Sequence, residues 1–173
     1  ECRAVVLAAE GKVFSAGAEF KQGAGDDASR DTAAFYGHAL RLFRTSKPIV
    51  AAIQAAALGA GLGLAVAADF RVTCNDARFS ANFNRLGFHP GFGLSLTLPR
   101  LVGEQQAALL FYTGRRINGQ EAHRIGLADV LVEPHEVRHA ALPLAGEIAD
   151  SAPLAVESTR ATLRGRWVEL VCE

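Results

Sequence analysis

Ala56-Ala57-Leu58-Gly59-Ala60-Gly61-Leu62-Gly63-Leu64-Ala65-Val66-Ala67-Ala68-Asp69 is the stretch from which the rest of the chain is best read. It is almost wholly small or apolar, with glycines at 59, 61 and 63 leading into a short helical run. Glycine permits a sharp turn and lets another group come close to the backbone. A helix that starts there has N–H groups with no partner inside the helix, aimed at whatever lies in front of them. The stretch reads as one half of an oxyanion-binding site, to which the chain must bring a second half.

Working outward, Ile49-Val50-Ala51-Ala52-Ile53 on one side is a continuous apolar run, as expected of a strand buried on both faces. Phe70 to Cys74 on the other side reads as a further strand, as do Ala4 to Ala8 and, last and short, Ala128 to Val132. A loop from Glu10 to Lys21 carries Gly17, and Gly23 to Arg30 is polar and surface-like. Asp31 can cap a helix whose Phe35, Ala39, Leu42 and Phe43 follow helical spacing, ended by Pro48. Asn75 to Pro90 reads as irregular, followed by a second glycine loop, Gly91-Phe92-Gly93. Helices are expected at Leu94–Leu101, Glu104–Tyr112, from Asn118 or Gly119 to a stop at Gly126, at His135–Ala149 and at Pro153–Arg164. Strands alternating with helices make this an α/β domain: one domain over residues 1–173, with a core to about 132 and a helical part from about 133.

Composition removes several function classes. The 173 residues balance 18 basic against 18 acidic side chains, which leaves no electrostatic case for nucleic acid or a membrane surface. The richest apolar run, Ile49 to Ala68, is broken by Gln54 and the glycines, so no membrane span is expected. Three scattered cysteines, Cys2, Cys74 and Cys172, fit neither a disulfide framework nor a metal site, and a reducing, cytoplasmic compartment is expected. A nucleotide-phosphate loop would need a lysine at the tip of the glycine stretch, and Gly59–Gly63 has none. The chain has no methionine and opens directly on an apolar strand that needs neighbours, so N-terminal structure is expected to be missing and the N-terminus supports no targeting reading.

The order of motifs resembles the crotonase family, the enoyl-CoA hydratases and isomerases. Ala4-Val5-Val6-Leu7 followed by Phe14-Ser15-Ala16-Gly17-Ala18-Glu19-Phe20 is similar to its first signature. Lys47 to Ile53, Gly59-Ala60-Gly61 and Ala68-Asp69 are similar to its second. Leu86 to Gly91, Leu98 to Gly103, and Thr113 to Ile117 with Ala122 and Ile125-Gly126-Leu127 resemble the later pattern. The resemblance runs to about Leu163; the tail from Gly165 departs from the usual run of helices. It implies a spiral of ββα units, with N-terminal strands and C-terminal helices missing from this chain, and assembly as a homotrimer or dimer of trimers. It also implies an acyl-CoA thioester as substrate, with coenzyme A arriving as part of it and no resident cofactor or metal. In such chemistry two backbone N–H groups hold an enolate-like oxyanion. The resemblance assigns them to Ala18 and Ala60, and puts Ala16 and Phe20 along the coenzyme A path and Lys21 near its phosphates. Preorganised donors of this kind are worth about 3–4 kcal/mol each.

Departures from the pattern matter as much. The resemblance assigns the two acid/base glutamates of a hydratase to Gly63 and Phe83, neither of which carries a proton-transfer group. An aspartate that serves as base in one isomerase branch would fall at Gly91. The nearest ionisable candidate is His89, since histidine changes charge near neutral pH; the bland alternative is that it packs beside Pro90. Asp69 is expected to fix the turn after the helix, Glu19 to have a structural role, and His38, His123, His135 and His139 to be solvated. Two functions stay open: an acyl-CoA enzyme with non-standard acid/base groups, or a non-catalytic acyl-CoA-binding homologue or oligomer partner.

Overall fold

The computed structural model describes residues 2–17 and 37–172, the side chains of 166–168 and 172 excepted. The expected cap at Asp31 and Phe35 lie outside the described residues. Two sheets organise the chain. The larger is parallel, in the order β1 (Val5–Ala8), β2 (Ile49–Ile53), β4 (Phe70–Cys74), β7 (Val130–Val132). The smaller pairs β3 (Ala56–Leu58) in parallel with β5 (Arg78–Ser80), and β5 antiparallel with β6 (Ile117–Asn118). A parallel bridge between Ser15 and Ala57 adds the first loop to the edge of the smaller sheet.

This pairing shows a repeat. Three times the chain gives one strand to the large sheet and the next to the small one: β1 then Ser15, β2 then β3, β4 then β5. Each turn stacks in parallel on the last. Gln54 lies where β2 leaves the large sheet for the small one, and its amide donates to the carbonyls of Ala9, Gly11 and Val13. β2 is buried at every residue, which accounts for its unbroken apolar sequence.

The helices are α1 (the described part covers residues 37–44), α2 (Ala60–Ala67), α3 (Leu94–Val102), α4 (Glu104–Thr113), α5 (Gly119–Arg124), α6 (Val137–Asp150) and α7 (Pro153–Cys172). Asn118 caps α5, its side chain accepting from the Glu121 N–H at 2.8 Å. α6 packs over β1, β2 and β4 through Val137, Ala141 and Ala145, so the helical part shares the core of the sheet.

Three expectations need correction. Ala56–Leu58 is a strand rather than loop. The irregular Asn75–Pro90 segment contains β5 and a 3-10 turn, Asn82–Leu86. The last helix does not stop at Arg164 but breaks at Gly165 (φ 18°, ψ −123°) and continues to Cys172. In the first two cases a three-residue element has too little sequence to declare a period, and its pairing partners lie far away in the chain.

Asp69 does more than hold a turn. Its carboxylate accepts from the Ile49 N–H at 2.8 Å, from Arg160 Nε at 3.0 Å and from Arg164 Nε at 2.8 Å, tying β2, the end of α2 and α7 together. Arg71, fully buried, donates to the Leu127 and Ala68 carbonyls and pairs with Asp129 at 3.0 Å. Burial lowers the Arg71 pKa, opposed by Asp129 and Asp69. Burial also pulls Arg164 down to about 10; Asp69 opposes the fall, and Arg160 and Arg71 add to it. Buried guanidiniums of this kind persist only when paired and hydrogen-bonded.

Candidate functional site

β3 runs into Gly59 (φ 53°, ψ −120°), and α2 begins at Ala60. The Gly59 N–H donates to the Ser80 carbonyl at 2.9 Å, anchoring the turn to β5, while the Leu62 and Gly63 N–H groups close onto the Gly59 carbonyl. Among the described residues the Ala60 N–H has no acceptor. α2 is buried at seven of its eight positions and has no acidic residue in its first turn. Nothing on the helix itself therefore neutralises the positive end of its dipole.

The second loop arrives beside this N–H. The Ser15 N–H donates to the Ala56 carbonyl, and the Leu58 N–H donates back to the Ser15 carbonyl. These two bonds carry the chain to Gly17, whose φ of 96° suits glycine. A Cβ at position 17 would stand 2.9 Å from the Leu58 carbonyl oxygen and 3.5 Å from the Ala60 nitrogen. The approach at Gly61 is closer still, where a Cβ would run into the Ser15 carbonyl oxygen. The glycines at 17 and 61 let two loops lie against each other at the Ala60 amide.

In front of Ala60 is a hollow of about 380 Å³. Ser15, Gly17 and Ala60 form one side, His38, Ala39 and Leu42 of α1 another, with Leu64 and Phe92 completing the lining. Ala39, Phe43, Ala60, Ala67 and Phe92 form one apolar cluster, so α1 is docked on α2 beside the hollow. The Phe43 and Phe92 rings lie 6.1 Å apart, tilted by 55°. Phe92 has a φ of 57°, a left-handed conformation that costs a residue with a Cβ on the order of 1 kcal/mol.

Of the residues anticipated from sequence, Ala60 lies at this hollow and Ala16 is an exposed member of the Ser15–Gly17 loop. Ala18, Phe20 and Lys21 lie outside the described residues, as does Glu19. His89 is exposed and lines a different hollow, of about 420 Å³, between the 3-10 turn and helices α3 and α4, with Asn84, Ser95, Glu104 and Tyr112 among its neighbours. His89 and Ala60 thus line different hollows. At position 63 the space for a side chain is taken by the Phe92 ring, and Phe83 is buried in the main core.

His38 and His123 are both exposed, as expected of solvated side chains; the His123 Nδ1 also lies 3.1 Å from the Ala128 carbonyl oxygen. His38 faces the hollow at Ala60. The available signal for His38 was its spacing of four from Leu42, which places both on one face of α1; nothing local said that this face meets Ala60. No helix among the described residues is long and apolar enough to cross a membrane.

Comparison with known proteins gives one answer. Residues 1–167 match the family model described as enoyl-CoA hydratase/isomerase. The chain is 38% identical to a crotonyl-CoA hydratase of Syntrophomonas wolfei over 160 residues, covering 91% of this chain and 62% of that protein. It is 36% identical to a carnitinyl-CoA dehydratase of Salmonella arizonae over 164 residues, again 62% of that protein. The structure superposes on an enoyl-CoA hydratase from Bacillus anthracis with a TM-score of 0.88 at 34% identity, over 94% of this chain and 64% of the other. The chain thus spans somewhat under two thirds of the length of these three relatives.

Proposed function

The chain belongs to the enoyl-CoA hydratase/isomerase family and has its crotonase-like α/β fold; from that premise we propose that it binds an acyl-CoA thioester with the carbonyl oxygen at the Ala60 amide. The Ala18 amide is the second donor, and the pair stabilises the enolate-like oxyanion formed when the α-carbon loses a proton. The observation that carries this reading is the Ala60 N–H: an N–H without an acceptor among the described residues, at the positive end of a buried helix, on a residue that lines a hollow large enough for an acyl group. Ala16 and Phe20 border the pantetheine path and Lys21 meets the phosphates. The reaction runs without carboxylates at 63 and 83, the positions that the resemblance assigns to the two glutamates. Assembly as a homotrimer or dimer of trimers is part of the same reading, and light scattering on the purified chain measures it.

A second reading, a homologue that binds acyl-CoA without turning it over, is favoured by the apolar filling of position 63 by Phe92. Calorimetric titration with butyryl-, crotonyl- and acetoacetyl-CoA, followed by mass spectrometry of the recovered thioesters, separates the two. Binding with chemical change supports the enzyme, and binding without change supports the second reading. Failure of all three thioesters to bind overturns both.

A further inference from the structure

We infer that His38 is the proton carrier of the hollow at Ala60, acting on the α-carbon of the bound thioester; this rests on the acyl-CoA reading above. α1 is held by its apolar face: Ala39 and Phe43 are buried in the cluster that contains Ala60 and Phe92. That docking fixes the backbone on either side of the remaining helix face. His38 and Leu42, four residues apart, share this face, and both line the hollow. Among the described lining residues, His38 carries the only side chain of the kinds that serve as general acids or bases. Leu42, Leu64, Ala39 and Phe92 are hydrocarbon, and the Ser15 hydroxyl oxygen accepts from the Gly17 N–H at 3.4 Å. No hydrogen bond or ion pair engages the His38 ring among the described residues, so it is available to a ligand.

The step balances without water, metal or co-reactant. The Cα–H bond breaks and an N–H bond forms on the neutral imidazole. The released electron pair becomes the double bond between Cα and the thioester carbon. The carbonyl π pair moves onto oxygen, which accepts from the Ala60 N–H. Return of the proton from the imidazolium to Cα restores the thioester. The substrate class is an acyl-CoA whose α-carbon bears hydrogen, and the simplest observable event is exchange of that hydrogen with solvent.

The test is α-hydrogen exchange of butyryl-CoA in deuterium oxide, read by mass spectrometry above the rate without protein. Wild type, His38→Ala and His38→Gln are compared, and butyryl-CoA dissociation constants are measured for each by calorimetry. The expected result is exchange by the wild type that falls about 100-fold or more in both variants, the usual scale for a general base, with dissociation constants within about threefold. His38→Gln keeps a hydrogen-bonding side chain of similar reach, so loss in both variants marks proton transfer rather than packing. Variants that exchange as fast as wild type overturn the role of His38 and leave the oxyanion reading standing. Wild type that binds butyryl-CoA without exchanging it overturns it too, as does exchange that depends on His89 and survives both His38 variants. Wild type that does not bind butyryl-CoA overturns this inference together with the reading beneath it.

Discussion

The ring of Phe92 fills the space into which a side chain at Gly63 would grow: a Cβ at 63 would stand 2.7 Å from Phe92 Cγ and 2.8 Å from its Cδ1. Two opposing effects meet there. Replacing a glycine inside a helix by alanine gains about 1 kcal/mol of helix propensity. Forcing a methyl into a packed contact costs about 1–3 kcal/mol. The contact distance decides for the second, so Gly63→Ala is expected to destabilise the chain in urea titration. In a Phe92→Gly background, which removes the Cβ as well as the ring and suits the φ of 57°, the same substitution should become neutral or stabilising, and the cycle should report a coupling above about 0.5 kcal/mol. Equal effects in both backgrounds would show that the ring does not set the size of residue 63.

The same pair separates what is legible in the sequence from what only the fold reveals. β2 and β4 were legible as strands because burial imposes unbroken apolar runs, and α5 because Asn118 and Gly126 punctuate it. Ala60 was legible through its glycines, which mark close approach wherever it occurs. The partner in that approach was not: Ser15 against Gly61 and Phe92 against Gly63 are contacts across dozens of residues. β3 and β5 were missed because three-residue strands are defined by pairing rather than period. The exposure of His38 is legible from its polar helix position, but that it also borders the hollow at Ala60 is not, because this depends on α1 docking on α2.

Asp69 serves two guanidiniums and a strand N–H at once. Asp69→Asn removes the charge that Arg160 and Arg164 share while keeping the shape. Leaving buried cations uncompensated costs about 3–5 kcal/mol. The expected outcome is a loss of that size in denaturant unfolding. A loss below about 1 kcal/mol would mean that the arginines find other acceptors.

Arg164 gives a pH signature with a definite sign. Its pKa in the folded chain is lowered to about 10 from the ordinary guanidinium range, chiefly by burial. Between these values the unfolded chain binds more protons than the folded one, so the group's contribution to stability rises with pH. Below about 10 both states carry the proton and the cost of burying the charge is constant. In Arg164→Met this dependence is absent. The difference in unfolding free energy between wild type and variant should therefore shift in favour of wild type as pH climbs above 10, and stay flat from 7 to 9. Taking the difference cancels the lysines and tyrosines that titrate in the same range. A flat difference throughout would show that Arg164 keeps its ordinary proton affinity.

The amide of Ala60 can be deleted without deleting the helix. Ala60 is the first residue of α2, the position at which proline is best tolerated, because the N–H it lacks bonds to nothing within the helix. Ala60→Pro is therefore expected to retain the circular dichroism and unfolding midpoint of the wild type to within a few degrees. Any thioester reaction the chain performs should nevertheless fall about 100- to 1000-fold, the usual cost of removing one oxyanion donor. Ala60→Gly, which keeps the N–H, is the matched control and should retain most of the rate. Deuterium exchange of butyryl-CoA measures all three proteins on one scale. If the proline variant folds and exchanges like wild type, the oxyanion does not sit at residue 60. If the glycine variant loses as much as the proline variant, the methyl of Ala60 rather than its amide is what the substrate meets.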